Sequence, residues 1–113
     1  MTELITSVYL NEGPMHFSVF HNAQPPQLHA ASSFTLALPE RPCQEDITAA
    51  LTTVFRELNI DEPTTEWAQQ YRQAGHRSLS VGDVIVICET AWACAPFGWT
   101  LINADDLTAA IYH

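Results

Sequence analysis

The clearest periodic pattern in the chain lies between residues 44 and 59, where apolar side chains recur every three or four positions. These positions are Ile47, Ala50, Leu51, Val54, Phe55 and Leu58. On an α-helix this spacing forms one continuous apolar stripe, and Glu45 and Asp46 in the first turn suit the positive end of the helix dipole. We therefore predict a helix over 44–59.

A second, shorter helix is predicted after a break at residues 61–65. Trp67, Ala68 and Tyr71 share one helical face, and Gly75 is suited to the left-handed conformation that ends many helices. Because only a few residues join the two helices, we expect them to pack against each other as a corner.

From residue 79 onward the pattern is that of β-strands. Residues 84–88 are apolar at odd and even positions alike, which is typical of a strand covered on both faces. The chain then returns through residues 91–95, with alanines on one face and Trp92 and Cys94 on the other, so another element must approach the alanines closely. A type I turn with Pro and Gly in favoured positions leads to residues 99–102. The sequence therefore predicts a three-stranded meander.

The first forty residues also predict β-structure. Residues 7–10 and 16–21 are rich in β-branched and aromatic types and flank a turn sequence, so they predict a hairpin. Residues 22–33 contain two consecutive prolines and predict a surface loop. Residues 33–38 then alternate, which predicts a strand with one covered face made by Phe34, Leu36 and Leu38.

Together these elements predict an α+β fold in a single domain spanning residues 1–113. Its sheet is expected to be mixed or antiparallel, with a sheet curled toward a barrel as one variant. Two central helices are followed by a short C-terminal helix that begins after Asn103 and has Leu107, Ala110 and Ile111 on one face. A chain of 113 residues that is 47% apolar can bury one core, and neither a disordered tail nor a two-domain enzyme fits it.

The charge of the chain indicates which classes of partner it can bind. Its 13 acidic residues face only four basic ones, all arginines, for a formal net charge of −9. Because nucleic-acid binding depends on lysines and arginines that neutralise phosphates, direct nucleic-acid binding is disfavoured. A candidate acidic face comprises Glu45, Asp46, Glu57, Asp61, Glu62 and Glu66. Such a face either serves solubility and helix-dipole pairing or binds a basic protein partner.

The sequence lacks the features of a secreted or membrane protein. Its first residues are acidic, without the apolar run of a signal peptide, and no segment reaches the ~18–20 apolar residues of a membrane span. Cys43, Cys88 and Cys94 include no CxxC pair. We therefore expect a cytoplasmic protein with small buried thiols and no membrane contact. A bond between Cys88 and Cys94 is left open, since a turn centred on Ala91 would let them face each other.

Patterns for catalysis or cofactor binding are weak. His16 and His21 would point to opposite faces of a strand, with no carboxylate in ligand register, so no metal site is expected. The glycines are isolated and there is no lysine for a phosphate-binding loop. Cys43, just before the first helix, is better explained as a packing or capping residue than as a nucleophile. We predict no enzymatic activity and no cofactor, with a small hydrolase as the third choice of function.

One segment has a more specific pattern of residue types than the packing of a core requires. Residues 77–84 read Arg-Ser-Leu-Ser-Val-Gly-Asp-Val, and Trp92-x-Cys94 and Gly98-Trp99 follow. This pattern resembles that of small bacterial proteins and domains of the YodL-like type, over roughly residues 50–102. The resemblance implies an accessory protein of a kind often encoded on plasmids, phages and conjugative elements.

The same segment has two physical interpretations. Ser80 to Asp83 predict a tight turn in which Gly82 takes a positive φ, and Arg77 lies six residues before Asp83, where the two could pair. In the structural interpretation this turn and hairpin hold the helices to the sheet. In the functional interpretation they form a recognition surface, because Arg and Trp are enriched at binding hot spots. The candidate binding residues are Arg77, Ser78, Asp83, Trp92 and Trp99.

Two functional hypotheses follow. The first is a non-enzymatic interaction protein from a mobile element that binds and inhibits a host protein. The most specific version of this hypothesis is an inhibitor of restriction or CRISPR enzymes. The second is a module like the PUA and ASCH domains, which would bind RNA or a nucleotide near Arg77 and Trp99. That second comparison rests on a turn shared at the level of the fold, and the acidic composition weakens it.

Overall fold

The computed structural model describes residues 2–11, 28–95 and 98–111. Its elements, in chain order, are β1 (Thr2–Asn11), β2 (Leu28–Leu38), α1 (Gln44–Asn59), α2 (Glu66–Gln73), β3 (Val84–Ile87), β4 (Thr90–Cys94), β5 (Trp99–Ile102) and α3 (Ala104–Ile111). The five strands form one antiparallel sheet in the order β2-β1-β3-β4-β5. The fold is therefore α+β, and the sheet of the described strands is open, with β2 and β5 at its edges.

Both central helices have the bounds and ends that the sequence predicts. α1 covers Gln44–Asn59, and the Asp46 carboxylate accepts the backbone N–H of Cys43 at 3.0 Å, which caps the first turn. α2 begins after Thr65, whose hydroxyl accepts the Ala68 N–H at 3.4 Å. Gly75 follows it with a φ of +85°, as expected for a left-handed residue after a helix.

The N-terminal half differs from the prediction. β1 pairs with β2 along one edge and with β3 along the other, so that Thr6 lies between Phe34 and Ile87. The antiparallel partners of β1 are therefore β2 and β3; residues 16–21, the predicted partner, lie outside the described residues. The predicted loop is also wrong for residues 28–33, which belong to β2. Four of these six residues are Ala or Ser, which have little preference for strands, so pairing with β1 determines their conformation more than local propensity does.

The sheet buries both of its faces in its central part. One face packs on α1 and α2 through Val8, Ile85 and Ile87, which contact Leu51, Val54, Leu58 and Tyr71 in one cluster. The other face packs on α3, where Val84, Ala91, Ala93 and Ile102 meet Leu107 and Ile111. β3 is therefore covered on both sides, and α3 is the element that approaches the alanines of β4.

Glu57 lies on α1 with only 1% of its surface exposed, so it is not part of an exposed acidic face. Its Oε1 accepts hydrogen bonds from Thr64 N at 2.8 Å, Thr64 Oγ1 at 2.9 Å and Thr65 N at 2.8 Å. Burial by itself raises the pKa of Glu57, but these bonds from Thr65 and Thr64 outweigh it and the pKa lies below its ordinary value. The carboxylate thus anchors the connection between α1 and α2.

We predict that Glu57→Gln destabilises the protein by about 1–3 kcal/mol at neutral pH, because a neutral amide is a weaker acceptor for the three partly buried donors. Glu62→Gln, at an exposed position, is the matched control. Because the folded pKa of Glu57 is depressed, its contribution is complete above the ordinary pKa and is lost as pH falls through the folded value. The difference between wild type and Glu57→Gln in urea unfolding should therefore narrow in acid. Equal stability of the two variants at pH 7 would contradict this role.

Candidate functional site

The segment that the sequence singles out folds around the carboxylate of Asp83, of which 1% is exposed. The guanidinium of Arg77 pairs with it in a two-pronged arrangement, with Nη1 to Oδ2 at 2.6 Å and Nη2 to Oδ1 at 2.8 Å. Such paired, charge-assisted bonds are among the strongest in proteins and fix geometry as well as charge. The pairing predicted from the six-residue spacing is confirmed.

Further donors complete the coordination of this carboxylate. Asp83 Oδ1 accepts the backbone N–H of Asn11 at 2.8 Å, and Oδ2 accepts the N–H of Ser80 at 2.7 Å. Arg77 Nη2 also donates to the carbonyl of Asn11 at 3.1 Å. We call Asn11, Arg77, Ser80 and Asp83 the Asp83 cluster. It ties the end of β1 to the turn that starts β3.

The Asp83 cluster also holds α2. The hydroxyl of Tyr71 donates to the carbonyl of Arg77 at 2.6 Å. Burial raises the pKa of Tyr71 to about 12, the negative charge of Asp83 adds to the shift and Arg77 opposes it. The phenol is therefore a fixed donor at neutral pH, and the geometry around Arg77 and Asp83 is that of a structural joint. Ser78 is exposed, and its carbonyl accepts from Arg77 Nη1 at 3.0 Å.

The two tryptophans of the motif lie on one face of adjacent strands. Trp92 on β4 pairs with Leu101 on β5, and Cys94 pairs with Trp99, so these four side chains point to the α1 side. Phe55 of α1 meets Trp99 edge-on, with ring centroids 6.1 Å apart and an interplanar angle of 83°. Leu101 is 61% exposed, whereas Trp92, with which it pairs, is half-buried. We call Phe55, Trp92, Trp99 and Leu101 the tryptophan face.

The tryptophan face and the Asp83 cluster adjoin through Cys94. The N–H of Cys94 donates to the carbonyl of Asp83 at 2.8 Å, so Asp83, Cys94 and Trp99 occupy one row across three neighbouring chain segments. Burial raises the pKa of the Cys94 thiol, and the charge of Asp83 raises it further. The environment of the Cys94 thiol is thus that of a buried structural cysteine and not that of an activated nucleophile. The structure brings the predicted binding residues into one region but gives them different environments.

A small cavity opens beside Trp99. Its volume is about 220 Å³, and it is lined by Thr52, Phe55, Cys94, Ala95, Gly98 and Trp99. Ligand pockets for drug-sized molecules usually measure ~300–1,000 Å³. The cavity is therefore better suited to a single side chain than to a nucleotide.

The remaining residues of the predicted acidic face are separated by α1. Glu45 lies in the first turn of this 16-residue helix, while Asp61 and Glu62 follow its last turn. A helix of that length spans about 24 Å. Glu66 lies in the first turn of α2, and Asp46 is engaged in the cap of α1. The acidic side chains thus form two exposed groups at opposite ends of α1.

The cysteines are free, so Cys88 and Cys94 form no disulfide. Cys94 is buried as expected, but Cys88 is exposed in the β3–β4 turn, with a φ of 54°, and Cys43 is exposed as well. The thiol of Cys43 donates to Asp46 Oδ2 at 3.3 Å, which is consistent with a capping role.

The described residues include no group of three or more His, Cys, Asp or Glu side chains arranged to hold a metal ion. His16 and His21, for which the sequence predicts no metal site, lie outside those residues. In the part of the chain that the structure describes, no helix has the length and apolar character to cross a bilayer.

Comparison of the chain with protein-family models, with curated proteins and with solved structures gave no match. The resemblance of residues 50–102 to YodL-like proteins therefore stays a prediction.

Sequence reasoning missed three residues of these regions: Asn11, Phe55 and Leu101. The residues around Asn11 predict a turn, and nothing local signals that its backbone N–H donates to a carboxylate 72 positions away. Phe55 was assigned only to the apolar stripe of α1. Leu101 could have been found, because it has the same parity as Trp99 on β5 and therefore shares its face.

We predict that Asp83→Asn destabilises the protein by about 3 kcal/mol, because one partner of a buried pair is removed. That value is at the low end of the usual range, since the Arg77 side chain is 41% exposed and water can solvate it. Asp105→Asn, at an exposed position, is the control with the same change of charge. Chemical unfolding followed by circular dichroism measures both. A loss no larger than that of the control would show that the Asp83 cluster does not stabilise the fold.

Proposed function

We propose that the protein is a non-enzymatic interaction protein that binds a protein partner through the tryptophan face. The observation that carries the proposal is Leu101, an apolar side chain 61% exposed on β5 beside two half-buried tryptophans. Exposed apolar surface of this kind marks interaction sites, and tryptophans at their centre supply much of the binding energy. The cavity beside Trp99 would accept one side chain of the partner.

Charge favours a basic partner. Residues 78–113 contain no lysine or arginine. Glu89 precedes β4 and Asp105 follows β5, and since Ala91 pairs with Ile102, both exposed carboxylates lie at the end of the sheet near Leu101. An apolar contact flanked by carboxylates is complementary to an apolar side chain flanked by lysines or arginines.

The resemblance to mobile-element proteins suggests the kind of partner. An inhibitor of a host enzyme, with restriction and CRISPR nucleases as the sharpest candidates, would meet the basic surface that such enzymes present to nucleic acid. The acidic groups at opposite ends of α1 support this electrostatically. These two acidic groups are far apart and Glu57 is buried, so the acidic side chains do not form a continuous row that could imitate the phosphates of a nucleic acid. We therefore propose that most of the binding energy comes from the tryptophan face.

The alternative of an RNA- or nucleotide-binding module has less support. The Nη atoms of Arg77 already donate to Asp83, Asn11 and Ser78, so a phosphate would have to displace internal bonds. The cavity next to Trp99 is small for a nucleotide.

The test is affinity purification from the native host with tagged wild type, Leu101→Arg and Ile5→Arg. Ile5 is a matched control, since it is 65% exposed and lies on the opposite face of the sheet. We expect Leu101→Arg to reduce recovery of the partner at least about tenfold, because a desolvated arginine would face basic residues, while Ile5→Arg retains it. Circular dichroism should show that both variants are folded.

Equal recovery with wild type and Leu101→Arg would refute the tryptophan face as the binding site. Recovery of no protein above that captured by the tag alone would refute the interaction function itself. Purified partner should also bind more weakly as salt rises, because its basic groups face carboxylates.

A further inference from the structure

β2 is an edge strand with unusual properties. It is 11 residues long, and no described strand pairs with its outer edge. Residues 30–38 contain no charged residue and no proline. Natural proteins usually block a long edge with charges, prolines or bulges, because its free backbone groups bind other strands. Beyond its bulge near Tyr9, β2 has none of these devices.

The hydrogen bonds of β1 determine which backbone groups of β2 are free. The N–H of Cys88 donates to the carbonyl of Ile5 at 2.9 Å, so the backbone groups of Ile5 point to the β3 side. In an antiparallel sheet these groups alternate in direction from one residue to the next. The N–H and C=O groups of Thr6 therefore point to β2.

The register between β1 and β2 determines which backbone groups of β2 bond β1. Thr6 pairs with Phe34, so the backbone groups of Phe34 bond β1. By the same alternation, Ser33, Thr35 and Ala37 direct their N–H and C=O groups away from the sheet. All three side chains are exposed. Among the described residues, the outer edge of β2 thus presents a short ladder of donors and acceptors that no other strand uses.

We propose that this edge binds the same edge of a second copy of the chain, antiparallel and around a two-fold axis at Thr35. In that register Thr35 lies opposite Thr35 of the other copy, and Ser33 lies opposite Ala37. Every outward group of these three residues then finds a partner, which gives about six backbone hydrogen bonds. The two sheets become one.

The side chains match across this axis. On one face only small side chains meet, from Ser33, Thr35 and Ala37. On the other face Phe34 lies opposite Leu36 of the second copy, and both side chains are partly buried against the core of their own copy. Phe34 already stacks on Trp67, with ring centroids 4.2 Å apart and an interplanar angle of 6°. The apolar layer beneath α2 is thus extended by the second copy, as cross-strand aromatic and aliphatic pairs favour.

Charge restricts where two copies can meet. Each carries a formal net charge of −9, so most of their surfaces repel. The central part of β2 carries no charged side chain, so two copies can meet there without placing like charges opposite each other. What repulsion remains comes from residues outside the contact, so salt should strengthen the association.

The test compares the purified wild type with three variants by sedimentation velocity over a wide concentration range, at low and high sodium chloride. Thr35→Glu places two like charges directly opposite each other at the axis. Thr35→Pro removes an outward N–H that β1 does not use, so the fold tolerates it as an edge proline. Thr48→Glu, on the exposed side of α1, changes the net charge equally without touching the edge.

We expect wild type and Thr48→Glu to dimerise, more tightly in high salt, and both Thr35 variants to weaken the dimer at least about tenfold. Amide exchange at Thr35 should slow as the wild-type concentration rises. A wild type that stays monomeric at every concentration and salt overturns the proposal, and so does a dimer that Thr35→Glu leaves intact. Leu101→Arg should dimerise like wild type, so failure of this proposal is distinguishable from failure of partner binding.

Discussion

The buried carboxylate of Asp83 is the interaction on which the arrangement of the chain depends. A carboxylate that is 1% exposed is tolerated only when its oxygens are fully bonded, and here the donors come from the end of β1, from Ser80 and from Arg77. These donors fix the C-terminal end of β1 next to the start of β3. With Tyr71 bonded to the carbonyl of Arg77, one cluster determines where α2, β1 and β3 meet.

The position of β1 has a consequence for the whole sheet. Because the Asp83 cluster places β1 beside β3, the only free side of β1 is taken by β2, which becomes an edge. The sequence predicts the elements that local patterns determine: α1 and α2 from their apolar faces, and the β3–β5 meander from its turns. It does not predict the pairing of β1, since that depends on a bond between Asn11 and Asp83 across 72 positions. It also misassigns residues 28–33, which become a strand only because β1 offers them a partner.

The sequence predicts only part of the candidate site, because it indicates local contacts and not those that depend on the assembled fold. The spacing of Arg77 and Asp83 allowed a local pair to be predicted, and parity placed Trp92 on the face of Cys94. Burial, however, is a property of the assembled fold. Counting charges along the chain put Glu57 among exposed acids, whereas the Thr64–Thr65 connection bonds it inside the protein. Phe55 joins the tryptophan face only because the fold brings its ring against that of Trp99 on β5.

The two proposed surfaces lie at opposite ends of the strand order, and this separation matters for what an assembly could bind. With strands about 4.8 Å apart, the outer edge of β2 and the strand β5 are roughly 20 Å apart within one copy. A two-fold axis at Thr35 would therefore place the two β5 strands roughly 40 Å from each other, with both tryptophan faces free. Such an assembly would engage a dimeric or repeated partner at two points. Because the second contact would be intramolecular, a weak individual interface could give tight binding without any additional contact. A modest apolar patch such as the one around Leu101 is then sufficient, provided that the partner repeats at a matching distance.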